Sequence, residues 1–404
     1  MLICEFFGWA EEASAGERAE AAGALAKTYL YAELDPVDLG DAERALTVLL
    51  DDPSPLVRRA LAEALAPAAG APHHILVALT ADRPDIAALV LERSPVLGDA
   101  DLIDAAAMGD DVTRCALARR TRVSAALAGA LAEIGGAEPA LALSRNPGAA
   151  LGDFAVRRLI ERFGADGRVR EALAGRGDLS AEMRHTLVVA TASALSDFAQ
   201  RCHWLNPERA RRVATEARER ATMTIGATLP DARSAAGNLG FVAYLHDAGH
   251  LTPALLMRAL LGGNLALFEA ALAALSGKSL GRIAGLTRSP DGLGFAALYK
   301  GAGLPPSLLP AVRAALRALQ ALDAEPGDGR LRRWMIGRVL HDCARLGVGR
   351  DGGGLSVLLR RLEVEAAREE ARDNRLDRRM AAAIRDRTIP PPARIPEIPL
   401  PRAA

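Results

Sequence analysis

Helices open at a nearly constant step along the first half of this chain. Openings near Pro72, Asp99, Ser124, Gly152 and Ser180 follow one another after 27, 25, 28 and 28 residues. A unit of that length holds two short helices and is too small to bury its own apolar face, so stacking on its neighbours supplies the core. The spacing therefore predicts an all-α fold, an α-solenoid of helical pairs with a concave groove. The step is shorter than the roughly 40 to 47 residues of ordinary HEAT or armadillo units, which implies a HEAT-like variant with helices of about two to three turns.

Local chemistry supports helices at these places. After Asp51-Asp-Pro-Ser-Pro, the residues Val57, Ala60, Leu61, Ala64 and Leu65 fall on one stripe, with Arg58 and Arg59 off it. Ser54 is placed to cap free N–H groups, and Pro55 suits the first helical position, where no donor is needed. The second helices of later pairs start after acidic residues: Asp85 precedes Ile86, Leu89 and Val90, and Asp110-Asp111 precedes Val112, Cys115 and Ala116. Negative charge there complements the helix dipole.

Composition points the same way and excludes several functions. Half the residues are hydrophobic but only 4% are aromatic, so the apolar content is mainly Ala and Leu, which favour close-packed helices over strands. Fifty basic residues balance fifty acidic ones, and no net field draws the chain to nucleic acid or an anionic membrane. Cys4, Cys115, Cys202 and Cys343 form no C-x-x-C pair and are expected to be buried free thiols in a reducing compartment. Residues 1–9 resemble neither a signal peptide nor an anchor, and no stretch is long and apolar enough for a membrane span, so a cytoplasmic location is expected.

Several arginines lie in the loops before new helices: Arg93-Ser-Pro, Arg120-Thr-Arg, Arg145-Asn-Pro and Arg176-Gly-Asp. Stacked units would set Arg93, Arg120, Arg145 and Arg176 in a ladder along one edge. Such a ladder either binds an anionic or acidic partner, or satisfies carboxylates and helix-end carbonyls within the protein itself.

The remainder is helical but less regular. Residues 1–40 are expected to cap the array, 41–200 to form it, and 201–346 to form a second helical region. Two long helices are expected from His185 to Thr222, the second capped by Asn206 with Pro207 at its first position, followed by a loop over 226–234. Further helices are expected near 235–248, 253–262, 264–276, 279–286 and 305–322. Another, over 331–346, carries Trp334, Met335, Val339 and Cys343 on its apolar side. A Gly-rich linker over 347–354, a charged helix over 355–388 and a disordered Pro-rich tail over 389–404 complete the chain. The stripe of the charged helix is Leu355, Leu358, Leu362, Leu376, Met380 and Ile384.

The strings that resemble enzyme motifs lack their context. His246-Asp247 has the His-Asp pair of metal-dependent phosphohydrolases, and His203, 43 residues before, with Asp291, 44 after, could complete a ligand set without any surrounding motif. His341-Asp342 is weaker still. Gly347-Val-Gly-Arg-Asp-Gly matches a dinucleotide fingerprint in letters but follows a helix, not a strand. His73 and His74 project about 100° apart on a helix, with no third ligand evident.

Phe241-Val-Ala-Tyr-Leu-His-Asp-Ala-Gly-His-Leu-Thr-Pro, Leu255-Leu-Met-Arg-Ala-Leu and Leu267-Phe-Glu-Ala-Ala-Leu resemble the bacterial family called domain of unknown function 2336. So do Asp291-Gly-Leu-Gly-Phe-Ala-Ala-Leu-Tyr-Lys and, earlier, Glu92-Arg-Ser-Pro-Val-Leu-Gly-Asp together with Asn146-Pro-Gly-Ala, so that the resemblance covers roughly residues 40–320. It implies a helical-repeat protein and carries over no catalytic residue.

Taken together, these features lead us to expect a non-enzymatic scaffold or adaptor, without cofactor or metal, that binds a protein partner through the concave surface of the array. The charged helix is expected to fold back as an internal competitor. A metal-dependent phosphohydrolase and a nucleic-acid-binding repeat are the alternatives.

Overall fold

The computed structural model describes residues 9, 12–321, 330–345 and 354–386, and the side chains of the last helix through Arg372 and at Arg375. Among these residues every regular element is a helix; the only strand-like feature is one isolated bridge between Val123 and Ala149. The expected all-α class is thus observed. The chain divides into two compact units between Arg218 and Glu219.

In the first unit, α1 (Ala15–Tyr31) opens on a capping box between Ser14 and Glu17, and α2 (Pro36–Val48) on the Asp35 side chain. Then come α3 (Pro55–Leu65), α4 (His73–Thr80), α5 (Pro84–Arg93), α6 (Asp99–Met108), α7 (Asp111–Ala118), α8 (Ala125–Ile134), α9 (Ala137–Arg145), α10 (Asp153–Phe163), α11 (Gly167–Ala174) and α12 (Ala181–Arg201). The caps are those anticipated: Ser54 before α3, Ser124 before α8 and Ser180 before α12 each accept from a first-turn N–H. Packing skips one helix at each step. α1, α3, α5, α7, α9 and α11 touch in succession, as do α6, α8, α10 and α12, which gives two files of helices with one core between them.

That core is one connected cluster running from Ala22 to Leu187, built from Ala, Leu, Val and Ile with a single Met and no buried aromatic. Small alanines let helices approach closely, and each fully buried Leu or Ile contributes about 1.5–3 kcal/mol over its exposed state. On α3 the buried positions are Val57, Leu61, Ala62 and Leu65, close to the expected stripe. On α7 the expected face is rotated: Ala116, Leu117 and Ala118 are buried, Cys115 is half-buried and Val112 is exposed. This helix has only eight residues and is gripped by both α5 and α9, so its last turn is driven inward while its first turn carries the Asp110 cap.

The helix α13 (Pro207–Ala227) contains the division between units. From Glu219 on, its side chains bond within the second unit: Glu219 to Thr252 and Arg258, Arg220 to Glu365. That unit holds α14 (Ala235–Asp247), α15 (Pro253–Leu261), α16 (Leu265–Ser276), α17 (Leu280–Thr287), α18 (Leu293–Gly301), α19 (Leu309–Gln320), α20 (Arg333–Arg345) and α21 (Gly354–Asp386). α18 has no counterpart among the expected helices. Gly292, Gly294 and Gly301 lower its local preference, and burial of Phe295, Leu298 and Tyr299 sustains it. The Tyr299 hydroxyl donates to the Pro305 carbonyl at 3.0 Å, and burial pushes this phenol up to about 12.

Two expected apolar stripes hold at all but one described position each. On α20, Met335, Ile336, Val339 and Cys343 are buried while Trp334 is largely exposed. On α21, Leu355, Leu359, Leu362 and Ala366 are buried and Leu358 only half so. Leu376, Met380 and Ile384, Cys4, the linker up to residue 353 and the tail over 389–404 lie outside what is described. Cys343 is buried as expected, whereas Cys115 and Cys202 are half-buried, all three as free thiols.

Candidate functional site

The four arginines of the expected ladder occupy two columns, not one. Arg120 is buried and directs its guanidinium back onto the preceding unit, one Nη bonding the Leu91 carbonyl and the other that of Ser94 at 2.6 Å. Arg176 does the same two steps of the pattern later. Its Nη1 donates to the Asn146 carbonyl at 2.6 Å, its Nη2 to that of Ala149 at 2.7 Å, and Asp178 holds the outer edge of the guanidinium. Between them stands Asn146, whose Nδ2 reaches the carbonyls of Ala118 and Arg120 at 2.8 and 2.7 Å while Oδ1 accepts from Gly148 N–H.

Ser94, Arg120, Asn146 and Arg176 thus form an inner column. Each of the last three donates to the main-chain carbonyl of its predecessor in that column, so three successive junctions between units are clamped in this way. Charge-assisted donors make such bonds stronger than neutral ones. Burial pulls the Arg120 guanidinium below its usual range, with Asp99 opposing. Backbone pairing between the same loops adds to the clamp: Val123 N–H donates to Gly148 at 3.1 Å, and Ala150 N–H to Val123 at 2.9 Å.

Arg93 and Arg145 belong to an outer column, each one residue before an inner-column member. Arg119 is the third, at the matching place before Arg120. All three are exposed, as is Arg122, and none of the four has a carboxylate within 4.0 Å among the described residues. The 26-residue interval from Arg93 to Arg119, repeated from Arg119 to Arg145, is the interval of the units themselves.

Other interior arginines are also spent on structure. Arg58 bonds Asp82 at 2.6 Å and the Asp52 carbonyl, Arg114 the Ala106 carbonyl and Arg170 the Gly164 carbonyl. His73 and His74 point apart, to Asp101 at 2.9 Å and to Thr47 at 3.0 Å, and staple α4 to the helices on either side.

In the second unit, the polar centre is an ion network that seats the charged helix. Arg258 on α15 is buried, with Glu219 at 3.2 Å on one side and Glu365 of α21 accepting two bonds at 2.8 and 2.7 Å on the other. Arg220 also donates to Glu365, at 2.6 Å, and Thr252 to Glu219 at 2.9 Å. Burial works against the charges, yet the contacts outweigh it: Arg258 is held above its usual range and Glu365 below the carboxylate range. Glu369, also near Arg220, is pushed up by burial and by the Glu365 charge.

His246 and Asp247 lie exposed at the C-terminal end of α14, and Asp291 is paired with Arg317 at 2.8 Å. Among the described residues no three His, Cys, Asp or Glu side chains gather in a manner that could hold a metal ion. Nor is any described helix long and apolar enough to cross a membrane. The Gly-rich string beginning at Gly347 falls outside the described residues.

Ser94, Arg119, Asn146 and the Arg258–Glu365 pair escaped the reading of the sequence. The first three could have been found by counting back from the next helix cap. Ser94, Arg120 and Arg176 stand four residues before Gly98, Ser124 and Ser180, and Asn146 stands six before Gly152 because its loop is two residues longer.

Comparison with curated proteins and with solved structures gives no match. A family model described as an uncharacterised protein conserved in bacteria, domain of unknown function 2336, matches residues 86–349, a stretch that contains both arginine columns and Arg258 and stops short of Glu365. With most of its length matched, the chain belongs to that bacterial family.

Proposed function

We propose that the chain is a non-enzymatic, HEAT-like scaffold or adaptor of the cytoplasm that holds a partner protein against its helical array. One observation carries this reading: successive short units commit one column of polar side chains to clamping each other, while the adjacent column, Arg93, Arg119 and Arg145, is exposed at the same interval and has no ion-pair partner among the described residues. Arrays that add nearest-neighbour interfaces build extended surfaces suited to recognition, with no single enclosed centre. Conserving interior polar groups for unit-to-unit bonds fits a frame whose purpose is shape.

The test is reconstitution. A protein captured with the tagged full chain, then purified alone, should rebind in calorimetry with a Kd of about 10 μM or tighter and a fixed stoichiometry. If no captured protein rebinds in pure form, the scaffold reading is wrong.

A further inference from the structure

We infer that Arg93, Arg119, Arg145 and the neighbouring Arg122 form a docking strip for an extended, acidic segment of a partner protein. This rests on the scaffold reading and names the chemistry of its partner. The four guanidinium groups are exposed, and no described carboxylate lies within ion-pair distance of any of them. In this they differ from the inner-column arginines Arg120 and Arg176, which are occupied by carbonyls. A basic residue at a helix end is favoured by the helix dipole alone, but that preference does not require three consecutive units to leave the same position unpaired.

The geometry selects the form of the ligand. α5, α7 and α9 touch in succession, and packed helices lie about 8–10 Å apart. Three equivalent arginines therefore recur at about that interval along the edge. An extended peptide rises about 3.3 Å per residue, so carboxylates at every third position fall into register with them. The charge pattern disfavours nucleic acid. Strong phosphate-driven binding draws on about six to ten contacts, and four arginines on a chain of zero net charge supply fewer.

The experiment uses the full-length protein and a fluorescein-labelled peptide made of five Glu-Gly-Ser repeats, read by fluorescence anisotropy at about 50 mM salt, where exposed charges are weakly screened. Saturable binding is expected. It should weaken about tenfold or more in the variant Arg93→Ala/Arg119→Ala/Arg145→Ala, whose thermal midpoint should match that of the wild type, and it should weaken likewise at about 300 mM salt. A single-stranded DNA of equal charge should bind less tightly than the peptide. No saturable binding to the wild type, equal affinity in the triple variant, or tighter binding of the DNA would each overturn the proposal. The scaffold reading is tested separately: a reconstituted partner that binds the triple variant as tightly as the wild type removes the strip and leaves the scaffold standing.

Discussion

Arg120 donates a hydrogen bond to the main-chain carbonyl of Ser94 from a place 26 residues further along the chain. The carbonyl of Arg120 is in turn bonded by Asn146, and that of Asn146 by Arg176. A helix-end carbonyl left dry is costly, and a buried guanidinium is costlier, so each removes the other's penalty only while adjacent units remain in contact. This couples the integrity of each unit to its neighbour in the way a one-dimensional array requires.

Asn146→Asp tests the column with an almost isosteric change. It replaces two donors by acceptors facing the Ala118 and Arg120 carbonyls, while the contact to Gly148 N–H is kept. We expect a loss of about 2–3 kcal/mol near neutral pH, larger than for Asn146→Ala. Urea unfolding of both variants checks the order.

Gly148 is the place where two loops come closest. A Cβ there would stand 2.0 Å from the Thr121 carbonyl oxygen, a main-chain atom that moves only if the Val123–Gly148 pairing breaks. Gly148→Ala should therefore lower stability by about 2 kcal/mol or more, while Gly152→Ala, where nothing lies within 4 Å, should change it little. Thermal unfolding of the two variants side by side makes the comparison.

The Arg258–Glu365 pair should behave as a latch for α21. Arg258→Ala leaves Glu219 and Glu365 without their buried counter-ion and should cost about 3 kcal/mol, more than the triple change Arg258→Met/Glu219→Gln/Glu365→Leu, which removes both acids with it. The Glu365 carboxyl is depressed in the folded state, so its contribution is complete above the ordinary carboxylate value and is lost as pH falls through the lower, folded one. Protection against hydrogen exchange over residues 355–372, taken relative to the intrinsic rate at each pH, should accordingly hold from neutral pH to about 5 and fall below about 4. Equal protection in Arg258→Ala and wild type would refute the latch.

Much of this architecture was legible because it is written locally. Ser54-Pro55, Ser124 and Ser180 announce their helices within three residues, and all five predicted openings of the array were found in place. What was not legible depends on neighbours. The rotation of α7, which exposes Val112, is set by contacts from α5 and α9 on both sides. The division of the arginine ladder into two columns was not legible because the same letter serves both, and because Asn146 takes the donor's role that Arg120 and Arg176 play in their own units. The seat of the charged helix depends on a partner 107 residues away, Arg258, which no local pattern marks. Its observed seat is the second unit's own ion network.

The most direct measurement of the central claim is the thermal midpoint of two charge reversals, Arg120→Glu and Arg145→Glu, made separately in the full chain. Arg120→Glu should fall by several degrees or fail to fold, because a carboxylate would face the carbonyls of Leu91 and Ser94. Arg145→Glu, exposed and with no carboxylate in ion-pair distance among the described residues, should change stability by no more than about 0.5 kcal/mol and leave the midpoint within about 2 °C of the wild type. Equal midpoints for the two variants would contradict the division into a clamping column and a free one.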